Sequence, residues 1–508
     1  MKKNFFVFPI LFLLSISSYC SVIGAWAKVL GKDGNDVITS VVTLDDGGFI
    51  LGGYSTSRGD EENCWLMEID RSGALVWEKL YNIGGEDRIV SLSKLSDGSV
   101  YAGGKLEAYG SDGAFLAKIK QNGSISFINK FAYLSLTSLK SIHLDGSTPY
   151  SIGFSGSNSF IEKGDNVISS NLFSNVRLYD FVLNPIGGFI AVGEMDNKPL
   201  IVLIDANLRF RQAFHISSGK DYSKGRCSSI TKLQSGDFAV CGEFSSSSNY
   251  GSIFLCKISK DYNPVWINIL DLRQDPYAKG VISTKSGDIL LFGTFRPSPD
   301  DPFDGFASLW GVDGSLIWQK RYGGSANDEI WCAVSCSDGG YLLAGKTKSY
   351  GRNGENGFAI KTDAVGEVDS SCDFVKNANL SITVDNITKE NVSISETTPT
   401  AALNPVKAQK KDPLFTADLI CYNGPSIIGV TKKSEPFRLV LEGVNFRNGF
   451  SVYIGDSSTA WSKTAFINGT KVLLKGGNTL KSKFPKGVPT LIRLFNSDGR
   501  GCEITYTR

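Results

Sequence analysis

Residues that commonly perform acid–base or metal chemistry are scarce in this sequence. Its 508 residues include two histidines, His143 in a degenerate strand and His215 in a loop between repeats. A Ser-His-Asp or Cys-His centre needs a histidine beside a nucleophile, so two histidines allow few such catalytic centres. No Cys/His spacing typical of a metal site and no glycine-rich phosphate loop is present. The sequence therefore predicts no cofactor; acidic loop residues could bind Ca²⁺, but no EF-hand-like spacing supports this.

Ten cysteines are the second chemical feature, and in an exported chain they favour disulfides. Cys372 and Cys421 border the same segment poor in aromatic residues, and we predict that they form a bridge. Cys241 and Cys256 would face each other if "FAVCGEF" pairs with "IFLCKIS" across the intervening loop. The alternative for this second pair is two small buried side chains.

Cys332 and Cys336 lie four residues apart on one predicted strand. At the rise of a strand this is about 13 Å, which is too far for a disulfide. We therefore predict that both are thiols in the core.

The remaining candidates are side chains suited to binding rather than to catalysis. Aromatic rings on loops can stack on sugars or anchor a protein partner, and acidic residues can accept hydrogen bonds from a ligand. The predicted ligand-binding residues are Tyr109, Tyr250, Tyr350, Asp36, Asp87 and Asp328. The alternative is that loop residues are polar only because they are solvated.

Seven copies of one sequence repeat determine how these residues are positioned. The middle glycine of "DGG" or its equivalent recurs at spacings of 41 to 52 residues, at Gly47, Gly98, Gly146, Gly187, Gly236, Gly287 and Gly339. The copies cover residues 26 to 368. A period of this length is typical of a solenoid or a propeller.

Composition within a copy favours the propeller. Each copy holds four short β-type runs and no helical periodicity, as in "VITSVVTL", "GFILGGYS", "CWLMEID" and "ALVWEKLY". Four antiparallel strands form one propeller blade. We therefore predict an all-β fold in which residues 25–368 form a seven-bladed β-propeller. Turns after the first strand are short, whereas connections after the second strand are long and varied, so one face is uniform and the other irregular.

Two further patterns describe how the blades meet. Large aromatic residues recur at the same point of the copies, at Trp77, Phe127, Trp266 and Trp318, and we predict that they fill the space between neighbouring blades. The run "AWAKVL" at Ala25 to Leu30 matches the strands that end other copies, while the seventh copy lacks its own. We predict that this run completes the last blade and closes the ring.

The stretches "EKLYNIGGEDRIVSLSKLSDGS" and "QKRYGGSANDEIWCAVSCSDGGYLLAGKTKSYG" resemble the repeats of exported bacterial proteins sometimes called delta-60 β-propeller repeats. The resemblance covers about two-thirds of the chain. It implies an architecture, because members of that family mostly lack a known activity. The doubled glycines are also similar to kelch repeats, which place their Tyr and Trp differently.

The chain changes character after Val368. Residues 369–423 are rich in Thr, Ser, Lys and Pro, which predicts an exposed linker or a loosely packed extension. Residues 424–508 return to short alternating strands, which predict a small β-sandwich. The phrase "LEGVNFRNGFSVYIG", with a later "NSDG", is similar to IPT/TIG domains. That resemblance implies an immunoglobulin-like spacer or interaction module without catalytic residues.

The N-terminus and the charge balance indicate the compartment and the partners. Two lysines, an apolar run and small residues within residues 1–24 predict a secretory signal peptide. A lipid anchor at Cys20 is the less favoured alternative, since the preceding residues depart from a lipobox. No other apolar run is long enough to span a bilayer, so we expect an exported mature chain, secreted, periplasmic or at the cell surface. A net charge of +2 argues against nucleic-acid binding.

From the sequence we predict a non-catalytic recognition or adhesion protein that binds a protein or a glycan through the irregular face, which carries the long loops. The alternative is a secreted hydrolase or lyase that acts on polysaccharide with acidic residues at the mouth of the propeller.

Overall fold

The computed structural model shows an all-β protein that divides into two compact units. It describes residues 24–508 except 58, 60, 108–112, 132–136, 165–168, 185, 221, 246–250, 273–275, 369–371, 379, 398–402, 406–408, 412–415, 422–424, 434, 445 and 498–500. One unit spans Gly24–Asn423 and the other contains Gly424–Arg508. Within the described residues, no helix has the length and apolar character needed to cross a lipid bilayer.

The repeats form twenty-eight strands with the four-strand pattern that the sequence predicts. The strands are β1 (Trp26–Gly31), β2 (Asp36–Thr43), β3 (Phe49–Ser55), β4 (Asn63–Ile69), β5 (Leu75–Asn82), β6 (Glu86–Lys94), β7 (Val100–Glu107), β8 (Gly113–Ile119), β9 (Ile125–Phe131), β10 (Thr137–Asp145), β11 (Thr148–Ser155), β12 (Asn158–Lys163), β13 (Ser169–Phe173), β14 (Arg177–Leu183), β15 (Phe189–Met195), β16 (Lys198–Ile204), β17 (Phe210–Ser218), β18 (Lys224–Lys232), β19 (Phe238–Ser245), β20 (Gly251–Ile258), β21 (Pro264–Asp271), β22 (Tyr277–Ser283), β23 (Ile289–Phe295), β24 (Asp304–Trp310), β25 (Leu316–Tyr322), β26 (Asp328–Ser335), β27 (Tyr341–Thr347) and β28 (Asn356–Thr362).

These strands form seven antiparallel sheets arranged in a ring, the pattern of a β-propeller. Sheets 1 to 6 take four consecutive strands each, from β2–β5 to β22–β25, and sheet 7 takes β26–β28 and β1. The first strand of each sheet contacts the first strand of the next, and β26 of sheet 7 contacts β2 of sheet 1. The predicted closure is confirmed: β1 pairs with β28, Trp26 opposite Lys361.

Apolar side chains fill each of the seven spaces between neighbouring sheets. Cys332 and Cys336 lie in the space between sheets 7 and 1 as free, buried thiols, as predicted. The four aromatic residues predicted to fill these spaces, Trp77, Phe127, Trp266 and Trp318, each pack against one of these cores. Indole N–H groups of Trp26, Trp266 and Trp318 donate to backbone carbonyls in the next sheet at 3.1 to 3.2 Å, at Arg71, Val312 and Ala364.

The segment predicted as a linker is instead part of the ring. Residues 375–421, which we call the belt, supply a fifth strand to every sheet. The belt strands are β29 (Val375–Asn377), β30 (Ser381–Asp385), β31 (Ile387–Val392), β32 (Glu396–Thr397), β33 (Leu403–Pro405), β34 (Gln409–Lys411) and β35 (Thr416–Cys421). They pair in turn with sheets 6, 5, 4, 3, 2, 1 and 7.

The linker prediction was wrong because it depended on composition. Side chains of β30 and β31 are exposed or half-buried, so no apolar pattern marks them as strands. Pairing with the outer strands of the ring, for example Ile216 opposite Lys389, gives the polar backbone its partners instead.

The predicted bridge between Cys241 and Cys256 is not formed, because the strand register differs by one residue. Val240 lies opposite Cys256, and Cys241 lies opposite Leu255. Neighbouring positions on a strand point to opposite faces, and both cysteines are free, buried thiols. Cys372 is disulfide-bonded. The side chain of Cys421 lies outside the described residues, so its pairing with Cys372 stays a prediction.

The C-terminal unit has two small sheets around one core. Its elements are β36 (Ser426–Lys433), β37 (Arg438–Val444), β38 (Ser451–Ile454), β39 (Thr464–Asn468), β40 (Lys471–Leu474), α1 (Gly477–Ser482), β41 (Pro489–Phe495) and β42 (Gly501–Thr507). One sheet has the order β36-β37-β40-β39 and the other β38-β41-β42. Leu439, Val472 and Ile492 are among the fully buried side chains of the core.

Candidate functional site

The two faces of the ring are built differently, as the sequence predicts. On one face, tight turns join first to second strands with one repeated bond, for example Leu44 N–H to Gly48 O and Leu233 N–H to Asp237 O, each 2.8 Å. On the other face, the connections from second to third strands reach eight residues, at 296–303 and 348–355. Sheets 3 and 4 depart from the pattern, because residues 156–157 and 196–197 are two-residue turns. We call these the turn face and the long-loop face.

The three aspartates predicted to bind a ligand are buried, each with no measurable exposure. Each carboxylate accepts a hydrogen bond from the backbone N–H four residues earlier in the chain, at Lys32, Ile83 and Gly324. Burial raises the pKa of Asp36, and it raises that of Asp87 to about 6. Asp36, Asp87 and Asp328 therefore hold the loops that enter the inner strands, and their side chains are not accessible to a ligand.

One of the three predicted tyrosines, Tyr350, lies among the described residues. Tyr109 and Tyr250 lie outside those residues. Tyr350 is half-buried, with ring centroids 6.1 Å from both Phe358 and Phe374. Burial raises the pKa of Tyr350 to about 12. Tyr350 is therefore largely a packing residue, since its ring contacts the core between sheets 6 and 7.

Neither histidine is placed for nucleophilic catalysis. Nε2 of His143 lies 3.6 Å from a carboxylate oxygen of Asp180. The hydroxyl of Ser141 donates to the same carboxylate at 2.8 Å rather than to the imidazole. His215 lies in strand β17 and not in the predicted loop, and it is buried with Nδ1 3.1 Å from the carbonyl oxygen of Pro199.

A β-bulge recurs at one position in all seven inner strands, so each sheet places one unpaired residue there. The bulged residues are Thr39, Val90, Lys140, Tyr179, Ser228, Lys279 and Trp331. A bulge leaves one residue outside the ladder and changes the direction of its side chain. The inner strands begin at the long-loop face, and each bulge lies at or before the midpoint of its strand.

Several bulged residues and their neighbours form one charged and aromatic cluster. The Nζ of Lys279 lies 4.6 Å from the Trp331 ring, and the guanidinium of Arg226 lies 5.6 Å from the Tyr179 ring. These are distances for cation–π attraction. We define the central cluster as Lys105, Lys140, Tyr179, Arg226, Lys279 and Trp331, supplied by sheets 2 to 7.

The glutamates around the central cluster are already paired. Glu243 accepts from Nε of Arg226 at 2.8 Å and from the hydroxyl of Ser228 at 2.9 Å. Glu194 accepts from the hydroxyl of Tyr179 at 2.9 Å. Glu329 lies 3.2 Å from the Nζ of Lys346 and accepts from the Trp331 indole at 2.9 Å.

Lys140 has the least compensated charge in this cluster. Its Nζ lies 4.9 Å from the ring of Phe154. Burial, together with the positive charges of Lys105, Arg226 and Lys279, lowers the pKa of Lys140 to about 8. Burial also lowers the pKa of Lys279. Two such amines can bind an anion, and an amine of lowered pKa can also act as a base.

The central cluster was not predicted from the sequence, because no single member of it belongs to a recognisable binding motif. Aligned on the repeat glycine, Tyr179, Lys279 and Trp331 each fall eight residues before it. Lys140 falls six residues before its glycine, because the third copy has a shorter turn. Comparison of this one position across copies would have identified four members of the central cluster, whereas Lys105 and Arg226 lie at other positions.

Comparisons with known proteins identify neither a family nor a function for this chain. No protein-family profile matches the chain, and no curated protein is detectably similar in sequence. Solved structures that are similar include Sqt1 from Chaetomium thermophilum, with 13% identity, a TM-score of 0.33, and coverage of 68% of this chain and 98% of that one. A putative 6-phosphogluconolactonase from Bacteroides uniformis has 10% identity, a TM-score of 0.41, and coverage of 71% and 99%. An ulvan lyase has 8% identity, a TM-score of 0.31, and coverage of 68% and 84%. By name, these three similar structures include a lyase, a putative lactonase and a protein not named as an enzyme.

Proposed function

We propose that this chain is an exported recognition protein that binds a glycan or a protein at the long-loop face of a seven-bladed β-propeller. The seven sheets in closed order support the blade count. The two-sheet C-terminal unit supports an immunoglobulin-like module of the IPT/TIG kind, which would act as a spacer or a second interaction surface. Export is proposed from residues 1–24 of the sequence, most of which lie outside the described residues.

The observation that carries the proposal is the central cluster. Cationic and aromatic side chains from six different sheets meet near the long-loop face. Side chains of this kind, converging from separate elements, are typical of a binding site. The glutamates beside them are engaged in ion pairs or hydrogen bonds, which favours binding over acid catalysis by a carboxylate pair.

A glycan array combined with a reducing-sugar assay tests the proposal. We expect the purified full-length protein to bind a defined subset of glycans without releasing reducing ends. Tyr109→Ala and Tyr250→Ala should weaken that binding. Asp46→Ala on the turn face should leave the affinity unchanged, because Asp46 only accepts a bond from Gly48 N–H within its own turn. Turnover of a bound polysaccharide would instead support the enzyme.

The enzyme alternative has one specific observation in its favour. Lys140 has a pKa lowered to about 8, which would allow its amine to accept a proton near neutral pH. A polysaccharide lyase needs a base of this kind beside a substrate carboxylate. Formation of an unsaturated uronate product that is abolished by Lys140→Met would support the lyase.

A further inference from the structure

We propose that the ligand is an acidic glycan and that one of its oxyanion groups, a carboxylate or a sulfate, binds between Lys140 and Lys279. This inference rests on the proposed function, because it assigns a ligand class to the same face. It assigns the oxyanion subsite to the centre of the ring, on the same face as the long loops.

The first step concerns the charge of Lys140. Among the described residues no carboxylate lies within ion-pair distance of its amine, and its charged neighbours Lys105, Arg226 and Lys279 are all cations. A cation that is partly removed from water without a counter-charge is costly. An anion bound beside Lys140 would supply that counter-charge and would return the pKa of the amine towards its ordinary value.

The second step concerns Lys279 on the other side of the cluster. Its two acidic neighbours, Glu243 and Glu329, are already bound to Arg226 and Lys346. The Lys279 amine contacts the ring faces of Trp331 and Tyr277 instead, at 4.6 and 5.4 Å. Rings attract a cation without neutralising it, so Lys279 keeps the capacity to bind an oxyanion.

The third step selects a glycan over an acidic peptide. The ion pairs Arg226–Glu243 and Arg177–Glu194 and the rings of Tyr179 and Trp331 belong to the same part of the ring. Sugar hydroxyls donate and accept at once, so they can bond to both members of an ion pair. The rings offer flat apolar surfaces to the carbon atoms of a pyranose.

Isothermal titration of the full-length protein with matched oligosaccharides tests the inference. The probes are an oligoglucuronate, a sulfated cello-oligosaccharide and the neutral cello-oligosaccharide of equal length. We expect one or both acidic probes to bind at least about ten-fold more tightly than the neutral one, with affinity that falls as salt rises. Which acidic probe binds distinguishes the carboxylate from the sulfate, and either one supports the inference.

Substitutions locate the site. Lys140→Met and Lys279→Met should each weaken the acidic probe about ten-fold or more, with melting temperatures unchanged or raised. Lys140→Arg should retain binding. The matched control is Lys94→Met, since Lys94 lies on an inner strand near the turn face and is already paired with Asp45 at 2.6 Å.

The pH dependence of the affinity for the acidic probe shows whether the charge of Lys140 contributes to binding. Wild-type affinity should fall between pH 7 and pH 9, because Lys140 loses its proton there while Lys105, Arg226 and Lys279 surround it. The Lys140→Arg variant should show a much weaker fall, since arginine stays charged.

Three results would overturn the inference. One is equal binding of neutral and acidic probes by wild type, with no loss in the methionine variants; the proposed recognition function would then stand without this site. Another is binding of a poly-glutamate peptide but of no glycan. The third is failure of the wild-type protein to bind any of the probes. If the wild-type protein also cleaved polysaccharide, the proposed recognition function would be contradicted as well.

Discussion

At the scale of single residues, the repeated aspartates show how a plausible binding residue becomes a structural one. Asp36, Asp87 and Asp328 occupy the same point of their copies, and each carboxylate accepts the backbone N–H four residues earlier. The loop that enters the inner strand is thereby fixed. One oxygen of Asp87 has no hydrogen-bond partner and is buried, which explains why burial dominates the pKa of this carboxyl.

We predict that Asp87→Ala lowers the free energy of unfolding by about 1 to 3 kcal/mol, because the N–H groups of Ile83 and Gly84 lose their acceptor. Asp87→Asn should cost less, since its amide oxygen can still accept. Urea denaturation at pH 7 measures both values. Equal costs for the two variants would show that these hydrogen bonds are not what Asp87 contributes.

The pKa of Asp87, raised to about 6 by burial, gives the same variants a pH signature. Its folded pKa lies above the ordinary value, so the folded state binds more protons between about pH 4 and 6. Stability from this group is present below that window and is lost as pH rises through it. Wild type should therefore gain stability relative to Asp87→Asn when pH is lowered from 7 towards 4.

At the scale of elements, side-chain oxygens link several inner strands to their neighbours. Ser40 accepts the backbone N–H of Leu92 at 3.0 Å, and Ser91 accepts that of Ile142 at 3.1 Å. On the outside, the belt adds a strand to every sheet. The sheets are thus connected both at their inner strands and, through the belt, at their outer strands. The outer strands of the repeats are therefore not free edges.

We predict that a variant ending at residue 374, which lacks the belt and the C-terminal unit, aggregates or melts well below the full chain. The seven outer strands would lose a row of backbone hydrogen bonds, each worth about 1 kcal/mol, and would expose pairing edges. A variant ending at residue 423 is the matched control, because it keeps the belt. Similar melting curves and protease resistance for the two variants would contradict a stabilising belt.

At the scale of the whole molecule, the ring closes through the first strand of the chain. β1 lies between β28 and the belt strand β35. Trp26 is almost fully buried and reaches the turn of sheet 1 through its bond to Arg71. Closure therefore joins residues near the start of the unit to residues near its end, and it completes both sheet 7 and the belt.

We predict that deletion of residues 25–30 opens the ring and makes the protein aggregation-prone or sensitive to proteases, since β28 and β35 lose their common partner. Trp26→Ala is a milder version and should cost about 3 to 5 kcal/mol. Limited proteolysis and thermal melting measure both. An unchanged melting temperature for the deletion would place the closure elsewhere.

The features that the sequence determined by itself are local or periodic. Four strands per copy follow from runs of apolar residues between turn signals, and glycines such as Gly47 and Gly339 adopt the positive φ, 88° and 86°, that their tight turns require. The role of β1 was also readable, because "AWAKVL" matches the strand that the seventh copy lacks. Such signals survive in a single sequence because each copy repeats them.

Other features were decided only by tertiary structure, because they depend on contacts between distant segments. A register shift of one residue separates Cys241 from Cys256. The belt is held by backbone pairing, which leaves little trace in side-chain pattern. Lys140 and Lys279 come within electrostatic range of each other only when the ring brings sheets 3 and 6 around one centre. Burial among like charges, which no local motif encodes, then gives these two lysines their chemistry.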